Sequence, residues 1–81
     1  VLPLLFYEVK IMKASYKKLF RILVDKDMSK VDLRKATGLS SNTMTKIRRG
    51  EYVSMEALNK ICVVLNCNIG DIVEFVEDDA E

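Results

Sequence analysis

Between Ser29 and Gly50 the chain reads SKVDLRKATGLSSNTMTKIRRG, and no other stretch restricts the fold as tightly. Ser29 and Ser40 are good helix N-caps, and each opens a segment that ends on a glycine, Gly38 or Gly50. Asp32 stands three residues after Ser29 and gives the acidic form of a capping box. The spacing therefore predicts two short helices, about Lys30 to Thr37 and Ser41 to Arg49, joined by the tight turn TGLS. Leu33 and Ala36 are the inward residues of the first. Met44 and Ile47 are the only strongly apolar residues of the second, so it buries one narrow edge.

The flanking sequence supplies partners for those edges. Tyr16, Leu19, Phe20, Leu23 and Val24 recur at helical spacing and predict a helix from about Ser15 to Asp25, with Lys17, Lys18 and Arg21 on its other side. Ser54 caps a fourth helix with an inward stripe of Met55, Leu58, Ile61, Cys62 and Leu65, and NCN stops it. Asn68 with Asp71 repeats the cap pattern for a fifth, final turn around Ile69 and Ile72. Tyr7, Val9 and Ile11 alternate with charged residues, which predicts a strand over 4–11; IVEFV predicts another over 72–76 that could pair with it. The expected architecture is all-α, five helices with short terminal strands. Residues 1–12 form an arm, 13–77 the domain and 78–81 an acidic tail. The apolar start VLPLLFYEVKIM is too short to span a bilayer and lacks the layout of a secretory signal. A second reading takes Met12 as the start, with residues 1–11 derived from upstream sequence.

Eighty-one residues make one small domain, and 49% hydrophobic with 31% charged residues is a globular balance. The net charge of +1 hides a strong split. From Lys13 to Gly50 there are eleven Lys and Arg against three Asp, a balance of +8. From Glu51 onward Lys60 faces eight acids, a balance of −7. That split suggests one face suited to a polyanion and another turned away from it; the alternative is two solvated surfaces with a chance imbalance. With no histidine and no CxxC pair, a zinc site is not expected, and the spacing of Cys62 and Cys67 does not point to a disulfide framework. Reduced cysteines fit a cytoplasmic location. The chain also lacks a Gly-rich phosphate loop and a nucleophile beside a base, so a binding protein without cofactor is expected rather than an enzyme.

Residues 29–50 resemble the helix-turn-helix of the Cro/C1-type (Xre) regulators, with Leu33, Gly38, Met44, Ile47 and Gly50 at the positions that hold the motif. VSMEALNKICVVLNCNIGDIVEF extends the likeness, which covers about residues 14–75. The resemblance implies a third helix that lies in the DNA major groove. It places base contacts on Ser41, Asn42, Thr45 and Lys46, and phosphate contacts on Lys30, Ser40, Arg48 and Arg49. The chemistry agrees: Asn can pair bidentately with adenine, Lys can donate to guanine, and a Thr methyl can meet a thymine methyl. Three positions depart from the family pattern. Arg34, counted with the phosphate contacts, stands where a small residue is usual: either its stem lies along the helix crossing with the head turned outward, or the crossing is wider than usual. Arg48 replaces a Glu that often pairs with an Arg of the first helix, here Leu23. Lys30 replaces a common Gln.

The function implied is that of a sequence-specific regulator of transcription, a repressor, which binds inverted operator half-sites about one helical turn (~34 Å) apart as a homodimer. LLFYEVKI with DIVEFV is the expected dimer surface. The alternative is a protein-binding module on the same fold, antitoxin-like or anti-repressor-like, since fold alone does not decide function.

Overall fold

The computed structural model describes residues 12–77. The order is β1 (Lys13–Ser15), α1 (Lys17–Asp25), α2 (Lys30–Thr37), α3 (Ser41–Arg49), α4 (Met55–Leu65), a 3-10 turn (Ile69–Asp71) and β2 (Glu74–Val76). There are thus four α-helices among the described residues, not the five expected. The fifth element keeps its capping box, with the Asn68 N–H donating to Asp71 at 2.9 Å. It lasts one turn because the chain then leaves for β2, which pairs antiparallel with β1 in the register Lys13 to Val76, Ala14 to Phe75 and Ser15 to Glu74. That pairing also delays α1, whose expected first residue, Ser15, belongs to β1. The strand expected over 4–11 lies outside the described residues. The one expected over 72–76 is confined to Glu74–Val76, because Ile72 closes the 3-10 turn.

Local chemistry sets the helix limits as the residue types require. The Ser29 hydroxyl accepts the Asp32 N–H at 3.0 Å and the Asp32 carboxylate accepts the Ser29 N–H at 3.0 Å. Ser40 and Ser54 cap α3 and α4 in the same way, each accepting an N–H at 3.1 Å. Gly38 and Gly50 end α2 and α3 with φ of 75° and 76°, in the left-handed region where a side chain is strained. Gly50 has a second reason to be glycine, since a Cβ there would lie 3.0 Å from the Ala14 carbonyl of β1.

The Ser29–Asp32 box gives a pH dependence. The Ser29 backbone N–H, and then its hydroxyl, hold the Asp32 carboxyl below the usual carboxylate range. A carboxyl lowered by folding contributes stability above its unfolded pKa, and that contribution is lost as pH falls through the lower folded value. We expect the melting temperature of Asp32→Asn to fall less on acidification than that of the wild type; parallel acid limbs would mean that the box is not formed in solution. Ser29→Ala should cost about 1 kcal/mol at neutral pH.

The core gathers one stripe from each helix. Leu19, Leu33, Ile47, Ile61 and Ile72 are fully buried, and Ala14, Tyr16, Leu23, Leu39, Ala57, Leu58 and Leu65 surround them. Three residues expected inside lie on the surface: Ala36, Val24 and Met55, the last two 78% and 70% exposed. Val24 is at the edge of its stripe in the last turn of α1, and Met55 begins α4, where the first turn overhangs the packed centre. Ala36 is outside the narrow contact that α2 makes through Leu33. Periodicity finds the face of a helix but not how far along its length a neighbour reaches.

Candidate nucleic-acid interface

On α3 the capping and the burial settle which atoms are free. Ile47 is 1% exposed and anchors the helix, with Met44 half-buried beside it. On the opposite side Ser41, Asn42, Lys46, Arg48 and Arg49 are exposed, and Thr45 is half-exposed. The Ser40 hydroxyl takes the Thr43 N–H and the Ser40 carbonyl takes that of Met44, so the N–H groups of Ser41 and Asn42, at the positive end of the helix, have no partner among the described residues. The Thr45 hydroxyl donates back to the Ser41 carbonyl at 3.0 Å, which leaves its methyl as the outward group. Arg49 stands four residues after Thr45 and seven after Asn42, so helical spacing puts it on their face, while Arg48 flanks it.

The cations differ in freedom. The Lys30 ammonium lies 4.6 Å from the centre of the Phe20 ring, a cation–π contact that ties the start of α2 to α1. Arg34 is half-buried. Arg49 has an exposed ion pair with Glu51 at 3.8 Å, an arrangement worth ~0–1 kcal/mol that a phosphate would readily replace. Arg48 has no ion-pair partner among the described residues.

Two tyrosines hold the far end of α3. The Tyr16 hydroxyl donates to the Glu51 carbonyl at 2.7 Å, and the Tyr52 hydroxyl donates to the Met12 carbonyl. Gly50, against β1, completes this brace. Sequence reasoning counted Tyr16 only as a member of an apolar stripe. The signal was a hydroxyl on an otherwise apolar face, because a buried Tyr usually seeks a partner for it.

Two short helices across a glycine turn, the second with a polar outward face and a braced end, define a helix-turn-helix DNA-binding domain. A profile of the Cro/C1-type HTH DNA-binding domain matches residues 18–78. The chain belongs to the Cro/C1-type helix-turn-helix family. Among solved structures it is similar to the crystal structure of the transcriptional regulator VanUg (form II), with 42% identity and a TM-score of 0.84 over 89% of this chain and 96% of that one. No curated protein matches the chain. No helix among the described residues is long and apolar enough to cross a membrane.

Proposed function

We propose that this domain is a sequence-specific, double-stranded DNA-binding regulator of transcription, a cytoplasmic repressor, that lays α3 in the major groove. The observation that carries the reading is the exposed polar face of α3 on a helix anchored by Ile47, with Met44 beside it, and fixed at both ends. Ser41, Asn42, Thr45 and Lys46 read base edges, the Thr45 methyl being suited to thymine. Lys30, Arg34, Ser40, Arg48 and Arg49 hold phosphates, helped by the N–H groups of Ser41 and Asn42 at the start of α3. Lys30 leaves the Phe20 ring to do so. The family membership and the likeness to VanUg, itself a transcriptional regulator, support the same reading.

A homodimer fits the remaining surface. Tyr52 and Phe75 pack edge to face at 6.0 Å yet stay 54% and 66% exposed, and Met55 is exposed as well. Apolar side chains concentrated beside β2 suit contact with a second copy.

Selection from random duplexes at two salt concentrations tests both statements. The wild type is expected to enrich an inverted repeat. Asn42→Ala with Lys46→Ala should lose the enriched sequence and keep salt-dependent binding. Enrichment of a single half-site would count against the dimer. If the wild type enriches nothing, the base-reading role of α3 fails and the protein-binding alternative takes its place.

A further inference from the structure

Cys62 and Cys67 play no part in the DNA-facing surface, and both are free and partly buried. They are not merely close in sequence. Asn66 takes a left-handed conformation at φ 54°, and the Cys67 N–H donates to the Cys62 carbonyl at 3.1 Å. This is the bond that closes a Schellman motif, in which the side chains at these two positions usually meet in an apolar contact. The end of α1 uses the same device: Asp27 is left-handed at φ 55°, the Met28 N–H donates to the Leu23 carbonyl at 2.9 Å, and both side chains join the core. At the end of α4 the corresponding pair is two thiols, both partly buried against the core and lining the same cleft. They border an open cleft of about 540 Å³ with Met55, Leu58, Asn59 and Ile69, which gives a small reagent access.

We propose that Cys62 and Cys67 form an oxidisable dithiol site that closes to an intramolecular disulfide on reaction with low-molecular-weight disulfides. A cysteine thiolate attacks one sulfur of the reagent RSSR, forming a mixed disulfide and expelling one RS⁻. The second cysteine thiolate attacks the protein sulfur of that mixed disulfide and expels the other RS⁻. The protein gives up two protons and two electrons, and the reagent leaves as two RSH. The backbone turn holds the second thiol beside the first, so closure is intramolecular and outruns a second external attack. Burial, and after it the nearby Cys62 and Asp71, keep the Cys67 thiol above its ordinary range against the opposing effect of Lys26, so at neutral pH it rests as the protonated thiol.

The test treats the reduced full chain with oxidised glutathione in native buffer, followed by alkylation and intact and peptide mass analysis. Both thiols should be lost together, with the internal disulfide exceeding the glutathione adduct by about tenfold or more at ~1 mM reagent. Cys62→Ser and Cys67→Ser should each stop at a single glutathione adduct. In denaturant, where the α4 cap is lost, the preference for the internal product should shrink. Two separate adducts, cross-linked chains, or thiols that stay alkylatable under excess reagent would overturn the proposal. None of these readouts involves DNA, so their outcome is independent of the proposed regulator role.

Discussion

Leu33→Ala should lower the stability of the domain by about 3 kcal/mol, and its melting temperature by roughly 12–24 °C, as measured by thermal circular dichroism. Leu33 is completely buried, and it is the only buried residue of α2. Truncation removes its apolar transfer energy and leaves a cavity that a short helix on a single anchor cannot close. A domain of this size holds only about 4–12 kcal/mol in total, so the loss is a large share of it. Val24→Ala is the control: at 78% exposure the change should stay within about 0.5 kcal/mol. Equal losses from the two variants would contradict the burial described for α1 and α2.

Arg48→Glu with Arg49→Glu should weaken binding to a selected operator by roughly 100-fold or more and lower the steepness of the salt dependence by about two. Both side chains are exposed, and the only ion pair broken among the described residues is that of Arg49 with Glu51. Folding should therefore change little, which thermal melts of the same protein would verify. Because phosphate contacts carry no sequence information, the preferred operator should stay the same while all affinities drop together. An unchanged salt slope would remove both arginines from the DNA contact.

The paired effects of these two variants separate two kinds of information in the chain. The limits of α2 and α3 were legible from Ser29, Asp32, Gly38, Ser40 and Gly50, and the structure places every one of those caps as expected. Caps are local: a hydroxyl or carboxylate meets an N–H three residues away, and a glycine takes a left-handed turn, whatever the rest of the molecule does. The exposure of Ser41, Asn42, Lys46, Arg48 and Arg49 was legible for a related reason, since Ile47 and Met44 leave only one direction for that helix to face. Which of the exposed groups touches DNA was suggested by resemblance, because partner contacts leave no trace in helical spacing.

The sequence by itself determined the caps, the helical period, the buried aliphatic residues at the centre of each stripe and the cations gathered around α3. Each depends on neighbours within about one or two turns. Only the tertiary structure decided where packing stops, and so exposed Val24, Ala36 and Met55. It also decided that the last helical turn yields to a strand at Glu74, that Tyr16 and Tyr52 brace the end of α3, and that Lys30 sits over Phe20. All of these pair residues distant in sequence. No local propensity encodes them, because they exist only once the helices have fixed which surfaces meet.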